Sequence, residues 1–260
     1  FYFQKGRLRS PFFCGGGIGS VNITVQYCFH HIPKTAGSSL QLRLSHRESI
    51  GQLPEGSTLV VYPLYNDVRY YRVSKDPNFN HKESIKQAFL RTYKQKTTGD
   101  ATIVMGHYTN ITQPGEHFVW LREPLARDIS HFNYDCKFNN QLHNDFATHL
   151  SMMSGNFMIL WLYGKYCGKN DSVSMEHRYN HVRQVLKTKV AKVYDTKYFE
   201  DSWDDIAKML KVDREPRLKS NLSDKDYNTV AKYEDLSEEF KVWHKNYNHY
   251  DYELYKEFCV

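Results

Sequence analysis

A turn rich in small residues near the start of the chain reads His30-His31-Ile32-Pro33-Lys34-Thr35-Ala36-Gly37-Ser38-Ser39-Leu40. It follows the apolar, β-branched run 21–29 and precedes the alternating leucines of 40–44. This order predicts a strand, a tight turn and the start of a helix. In such a turn several backbone N–H groups converge on one point, and the amino end of the helix adds partial positive charge. A lysine and three hydroxyl groups complete a predicted phosphate cradle, although a generic turn with an incidental lysine has the same local pattern.

Segment 118–132 repeats this order of strand, turn and helix. Its apolar strand ends at Arg122, Pro124 marks the turn, and Ser130 follows in the predicted helix. A guanidinium group can donate two parallel charge-assisted hydrogen bonds, and together with a hydroxyl group it suits a terminal phosphate. An arginine of this kind taken alone is more often part of a surface ion pair. Two phosphate-type elements, each at the end of a strand, favour a ligand with two phosphate groups.

A third predicted strand, 101–105, runs into Gly106 and is followed by His107. Open α/β sheets bind their ligands at the carboxyl ends of the strands. Histidine has a pKa near neutrality and can take a proton from a hydroxyl group as that group attacks. A lone histidine after a strand is usually structural or solvated. The position of His107 between the two phosphate-type elements nevertheless favours the role of catalytic base.

Together these segments resemble the PAPS-dependent carbohydrate sulfotransferases, where PAPS is 3′-phosphoadenosine 5′-phosphosulfate. The P-K-T-x-G-S-S pattern of 33–39 is similar to their loop for the 5′-phosphosulfate, and R-E-P-x-x-R-x-x-S of 122–130 to their element for the 3′-phosphate. The G-H-Y of 106–108 is similar to the segment that carries the catalytic histidine of the heparan sulfate and uronyl 2-O- and 6-O-sulfotransferases. The usual nucleoside-triphosphate loop, G-x-x-x-x-G-K-[ST], does not occur in the sequence.

The resemblance implies a role for each matching residue. His107 would be the catalytic base, and Lys34 would offset the charge that grows on the departing 5′-phosphate. The basic loop 214–223 would close over the adenosine and the 3′-phosphate, although an exposed linker has the same composition. The implied donor-binding residues are Lys34, Thr35, Ala36, Gly37, Ser38, Ser39, Arg122, Ser130, Lys219, Ser220 and Asn221. No metal ion is expected, since the family transfers sulfuryl groups without one and the sequence has no H-E-x-x-H or C-x-x-C spacing.

Charge and composition restrict the partners. The formal net charge is +6 and the pI is near 8.9, so an anionic partner is expected. A polyanionic glycan or the donor itself satisfies this expectation, whereas nucleic acid is not expected because no nucleic-acid-binding module is recognisable. The 20 tyrosines and 15 phenylalanines can pack against sugar rings or fill the core.

The alternation of predicted strands and helices indicates one α/β domain with a central parallel sheet flanked by helices, as in the P-loop-like sulfotransferase fold. The domain is expected to span 21–260, after an N-terminal extension, 1–20, that can include tag residues. No run of about 18 apolar residues, the length needed to span a membrane, occurs in the sequence. From the resemblance we expect an enzyme of the Golgi lumen, attached to the membrane only through an anchor that is absent from this chain.

Two covalent modifications are considered, and the first, a disulfide, needs an oxidising lumen. Cys136 and Cys167 could form a disulfide there, although the sequence does not settle the pairing of its five cysteines. The N-x-[ST] sequons begin at Asn22, Asn110, Asn170 and Asn221. Of these, Asn170 is the one far from the expected donor and catalytic elements, and it is the expected glycosylation site.

The expected function is transfer of the sulfuryl group of PAPS to a hydroxyl group, in the first place one of a glycosaminoglycan-like polysaccharide. A protein tyrosine or a small alcohol remains open as the acceptor. A phosphotransferase related to P-loop kinases remains open as a different class, but it would need the missing G-K-[ST] order and an aspartate-held Mg²⁺. A non-catalytic domain that binds sulfated glycans is the other open class.

Overall fold

The computed structural model describes residues 26–49, 52–53, 58–61, 102–106, 109, 111–112, 114–138, 145–167, 172–213 and 231–260. Within these segments a five-stranded, all-parallel sheet has helices packed on both of its faces. The predicted α/β class with a central parallel sheet is therefore confirmed. The extension 1–20 and the sequon asparagines lie outside the described residues.

The strands are β1 (Tyr27–His30), β2 (Thr58–Val61), β3 (Thr102–Gly106), β4 (Glu116–Leu121) and β5 (Val190–Asp195). Their order across the sheet is β2-β3-β1-β4-β5, so β1 is the central strand. His30 at the end of β1 pairs with Gly106 of β3 on one side and with Val119 of β4 on the other. Because every strand points the same way, the carboxyl ends of β1, β3 and β4 lie at one edge of the sheet.

The helices are α1 (Gly37–Ser49), α2 (Pro124–Phe138), α3 (Phe146–Ser151), α4 (Phe157–Cys167), α5 (Met175–Lys189), α6 (Phe199–Leu210), α7 (Glu238–Tyr247) and α8 (His249–Cys259). Polar side chains fix several of their starts: the Ser174 and Ser237 side chains accept backbone N–H groups in the first turns of α5 and α7. A left-handed Lys211 ends α6. These local signals place the helix boundaries along the chain.

Both faces of the sheet are buried, which explains why its central strands are apolar rather than alternating. On one face Phe29, Phe118 and Trp120 pack with α1 and α6. The ring centroid of Phe29 lies 5.2 Å from that of Phe118 and 5.8 Å from that of Trp120. On the other face Val119 and Leu121 pack with α4, α5 and α8. A part of the high aromatic content therefore fills the core, one of the two interpretations that the composition allowed.

Buried polar contacts hold α2 against the carboxyl-terminal helices. Oδ2 of Asp128 lies 2.9 Å from Nε2 of His244 in α7, and Arg127 pairs with the same carboxylate group. In α8 the carboxylate of Asp251 accepts two N–H groups from the first turn of α4, each at 2.9 Å. A buried carboxylate at a helix amino end satisfies N–H groups that would otherwise lack partners. These contacts fix the helix that follows β4.

The cysteines that the structure describes are free thiols: Cys28, Cys136, Cys167 and Cys259. The disulfide between Cys136 and Cys167 that the sequence allowed is therefore not formed. Among the described helices, none combines the length and the apolar character that a membrane span requires.

Candidate functional site

The predicted phosphate cradle is the turn between β1 and α1. Lys34 and Ala36 take left-handed backbone conformations, with φ of 70° and 61°. Such conformations cost about 1 kcal/mol or more in a residue with a Cβ atom, and they cluster at ligand-binding turns. Thr35 is buried, and its hydroxyl group donates to the carbonyl oxygen of Ile32 at 2.9 Å. Left-handed residues in a turn of this kind are typical of the backbone nests that bind anions.

Gly37 starts α1 at a position that has no room for a side chain. A Cβ atom there would lie 2.0 Å from Cδ2 of the buried His31 ring. Ser38 and Ser39 follow in the first turn of α1, the former exposed and the latter half-buried. Their hydroxyl groups thus lie at the amino end of the helix, where its dipole favours negative charge.

Replacing Gly37 by alanine is expected to destabilise the folded chain by about 2 kcal/mol, because the added methyl group overlaps the ring of His31. The matched control is Gly164→Ala in α4, where an added Cβ meets nothing within 4 Å. That change improves helix propensity and should leave the fold as stable or slightly more so. Thermal denaturation of the two variants tests the expectation, and equal melting temperatures would contradict it.

The second phosphate-type element meets the first through a hydrogen bond. Nη1 of Arg122, just past the end of β4, donates to the carbonyl oxygen of Lys34 at 3.1 Å. The two residues are 88 positions apart, but β1 and β4 are neighbours in the sheet. Burial lowers the pKa of Arg122, and the nearby Glu123 and Asp195 oppose that shift. The guanidinium carries five N–H donors, so one bond to Lys34 leaves donors for a ligand.

The ammonium group of Lys34 lies over the ring of Tyr134 in α2, 3.9 Å from the ring centroid. A contact of this kind stabilises a cation that has lost part of its water. The pKa of Lys34 is lowered to about 8, mainly by burial and then by the positive charge of Arg122, while Asp135 partly offsets the shift. Lys34 and Arg122 thus concentrate positive charge at the sheet edge, which attracts an anionic ligand.

Helix α2 carries the remaining described residue of the second element. The carboxylate of Glu123 accepts from the N–H group of Ala126 at 2.6 Å and caps the first turn. Ser130 is half-buried farther along the same helix. The structure therefore places Arg122 at a strand end and Ser130 on the helix that follows it, in the order that the sequence predicted.

The predicted site residues that lie outside the described part of the chain are His107, Lys219, Ser220 and Asn221. Gly106 before His107 and Thr109 after it are described, and both contact β1. The carbonyl oxygen of Gly106 accepts the N–H group of His31 at 3.3 Å, and the hydroxyl group of Thr109 donates to the carbonyl oxygen of Phe29 at 3.4 Å. The chain thus enters and leaves the segment of His107 beside the strand that leads into the cradle.

The structure also assembles a group that motif spacing did not indicate. His131 and Asp135 of α2 and His149 of α3 each offer one ligand-type atom, and these atoms lie within 4.8 Å of one another. Asp135 acts electrostatically on Lys34, so the group adjoins the cradle. The i, i+4 spacing of His131 and Asp135 is visible in the sequence, but the position of His149 depends on how α3 packs.

Comparison with known proteins gives few matches. No protein-family model matches the chain, and no curated protein is similar to it. Among solved structures, the chain is similar to a sulfotransferase from Alicyclobacillus acidocaldarius, with 12% sequence identity and a TM-score of 0.47 over 91% of this chain and 97% of that one. Proteins this far apart in sequence can differ in function even where their folds agree. The function is therefore inferred from the residues of this chain.

Proposed function

We propose that this chain is a PAPS-dependent O-sulfotransferase that acts on a polysaccharide. The observation that carries the proposal is the hydrogen bond from Arg122 to the carbonyl oxygen of Lys34. Through that bond a phosphate cradle and a phosphate-type arginine share one edge of the sheet. PAPS has a 5′-phosphosulfate and a 3′-phosphate, so each element has an anionic group to bind.

The donor-binding roles follow from the two elements. The backbone N–H groups of Ala36, Gly37 and Ser38 and the hydroxyl groups of Ser38 and Ser39 hold the 5′-phosphosulfate, and the side chain of Lys34 neutralises part of its charge. Thr35 shapes the turn instead, because its N–H and hydroxyl groups both donate to the carbonyl oxygen of Ile32. The guanidinium of Arg122 and the hydroxyl group of Ser130 hold the 3′-phosphate, which distinguishes PAPS from ATP-like donors. The loop with Lys219, Ser220 and Asn221 closes over the adenosine.

His107 and Lys34 carry the chemical step. The imidazole of His107 takes the proton of the acceptor hydroxyl group as its oxygen bonds to sulfur. The bond from sulfur to the bridging oxygen breaks at the same time, and its electron pair stays on the 5′-phosphate. Lys34 stabilises the charge that develops on that oxygen, which is the electrostatic contribution expected to be largest. No metal ion takes part in this step.

The acceptor is proposed to be an anionic, glycosaminoglycan-like polysaccharide. The net charge of +6 and the positive sheet edge favour an anionic chain over a neutral one. From the resemblance to the carbohydrate sulfotransferases we propose the Golgi lumen as the place of this reaction. A screen of desulfated polysaccharides, tyrosine peptides and small alcohols with labelled PAPS tests the acceptor class.

Titration calorimetry with PAPS and ATP, followed by an assay for 3′-phosphoadenosine 5′-phosphate, tests the activity. We expect tight binding of PAPS that does not require Mg²⁺, and weak binding of ATP. The product should appear only when an acceptor is present. Preference for MgATP would support a phosphotransferase instead. Binding of sulfated glycans without any consumption of PAPS would identify a non-catalytic domain.

Replacing His107 by alanine is expected to lower kcat at least about 100-fold, because no base then takes the proton of the attacking hydroxyl group. Donor affinity should stay within about threefold, since the base does not hold the donor. The control is His177→Ala, which removes an exposed histidine of α5. Steady-state kinetics and donor titration separate the two effects. Near-normal turnover of His107→Ala with the donor bound would rule out this base.

The pH dependence of kcat/KM for the donor should follow the loss of the proton of Lys34 in the free enzyme. Its pKa is lowered to about 8, mainly by burial, so the lysine is charged below that pH and neutral above it. For the donor, kcat/KM is therefore expected to fall as the pH rises through about 8. The fall of kcat should occur at a higher pH, because the bound anionic donor stabilises the charged form of Lys34 and raises its pKa. Lys34→Arg should abolish the limb, since arginine stays protonated. Assays with a chelator present keep divalent ions from contributing, and an unchanged limb in Lys34→Arg would contradict the assignment.

A further inference from the structure

His131, Asp135 and His149 form a compact group of metal-ligating side chains. Nε2 of His131 lies 3.6 Å from Oδ2 of Asp135, one helical turn away on α2. The rings of His131 and His149 meet edge to face with their centroids 5.7 Å apart. One ligand-type atom from each side chain lies within 4.8 Å of the other two. Ligands of a tetrahedral zinc ion lie about 3.4 Å apart, so small side-chain rotations would bring these atoms onto one ion.

The group is largely shielded from water. Asp135 is 9% exposed and His149 is 4% exposed. Nδ1 of His131 is buried too, and it has no hydrogen-bond partner in the part of the chain that the structure describes. The nitrogen of His131 that faces Asp135 is Nε2. A metal ion at the group would coordinate that nitrogen and would balance the negative charge of Asp135.

We propose that His131, Asp135 and His149 bind one divalent transition-metal ion, with zinc as the expected occupant. Two imidazoles and one carboxylate, with water as the fourth ligand, form a ligand set that suits zinc. Imidazole ligands disfavour Mg²⁺ and Ca²⁺, which bind through oxygen. The ion joins α2 to α3 and so fixes the helix that carries Ser130. None of its ligands is among the proposed donor-binding or catalytic residues, although Asp135 acts electrostatically on Lys34, so metal binding can be tested apart from that function.

Two positive groups act against the ion. Lys34 and Arg127 both interact electrostatically with His131, and their charges lower the affinity of any cation at this place. Arg127 is itself paired with Asp128, which reduces its effect. We therefore expect saturable binding of one zinc ion that is weaker than binding at a closed four-ligand site.

Zinc titration of the chelator-treated chain tests the site. We expect binding of one equivalent, and His131→Gln or His149→Gln should each weaken it at least about 100-fold. The matched control is His181→Gln, because Nε2 of His181 lies 2.9 Å from Sγ of Cys167 and this exposed pair could bind zinc on its own. His181→Gln should leave the affinity unchanged. Loss of binding in that variant, or no saturable binding by the unaltered chain, would overturn the proposal.

Cobalt(II) gives a second measurement that needs no substitution in a buried position. With nitrogen and oxygen ligands, the bound ion should show visible d–d bands without the near-ultraviolet band of a cobalt–thiolate bond. A thiolate band that accounts for the bound cobalt would assign the metal to a cysteine and overturn the proposal.

Saturating zinc should also raise the melting temperature of the unaltered chain and of His181→Gln by about 5 °C. An equal rise in His131→Gln would contradict the assignment.

Discussion

Replacing Lys34 by methionine is expected to lower kcat about 1,000-fold while the donor dissociation constant changes by less than about tenfold. The ammonium group stabilises charge that develops on the bridging oxygen as the bond to sulfur breaks. That charge is small in the bound donor and large in the transition state, so the loss falls mainly on kcat. Backbone N–H groups of the cradle and Arg122 still hold the donor in this variant.

Methionine is chosen because it preserves the surroundings of Lys34. Its unbranched side chain can keep the contact with the ring of Tyr134, on which the ammonium group lies at 3.9 Å. It also has a Cβ atom, so the backbone cost of the φ of 70° at this position does not change. A loss of activity in Lys34→Met therefore reports the missing charge rather than a collapsed turn.

Single-turnover kinetics with saturating donor and thermal denaturation together test this expectation. Lys34→Arg serves as the charge-preserving control and should retain much more activity than Lys34→Met, although its larger head group does not fit the site equally well. Lys34→Met with kcat within tenfold of the unaltered enzyme would show that Lys34 has no role in the chemical step. A large fall in melting temperature would instead assign it a structural role.

The local part of the site could be predicted from the sequence because it depends on neighbouring residues. The sequence around the turn 30–40 has an apolar run before it, small residues within it, and Leu40 and Leu44 one helical turn apart after it. The structure has β1 ending at His30 and α1 starting at Gly37, so strand, turn and helix follow one another in the predicted order, with the helix beginning three residues before Leu40. Likewise, β4 ends at Leu121 and α2 starts at Pro124, where proline suits the first helical turn.

The contact between Arg122 and Lys34 could not be derived in the same way. It depends on β1 and β4 being adjacent in the sheet, although β2 and β3 lie between them in the sequence. Strand order is a property of the whole fold, and alternating strands and helices are compatible with several orders. The resemblance to a family suggested that the two elements share a ligand, but the residues alone did not place them together.

The apolar-rich segment 145–162 shows a different limit. The structure divides it into α3, which ends at Ser151, and α4, which starts at Phe157, and Asn156 just before α4 has a φ of 58°. Hydrophobic content alone gives no boundary there. The break positions His149 on α3 against α2, so the group of His131, Asp135 and His149 depends on a turn that the apolar pattern does not reveal.

Replacing Arg122 by alanine is expected to weaken binding of 3′-phosphoadenosine 5′-phosphate at least about 100-fold, because hydrogen bonds to a charged group contribute about 1.5 to 3 kcal/mol each. The change also removes the donor of the bond to the carbonyl oxygen of Lys34, at 3.1 Å in the structure. Some loss of kcat should accompany the loss of affinity, since that bond helps to hold the cradle. Arg122→Lys keeps the charge but not the planar guanidinium group, so its affinity for this ligand should lie between those of the unaltered chain and Arg122→Ala.

A second ligand separates the role of Arg122 at the 3′-phosphate from a general effect on the cradle. Adenosine 5′-phosphosulfate lacks the 3′-phosphate but keeps the group that the turn 34–39 holds. The unaltered chain should prefer the 3′-phosphorylated ligand strongly, and Arg122→Ala should lose most of that preference while it binds adenosine 5′-phosphosulfate nearly as well as before. If Arg122→Ala weakens both ligands equally, Arg122 acts only by supporting the carbonyl group of Lys34. If Arg122→Ala binds both ligands as tightly as the unaltered chain, the arginine does not bind the donor. The hydrogen bond between Arg122 and Lys34 would then not support the proposed function.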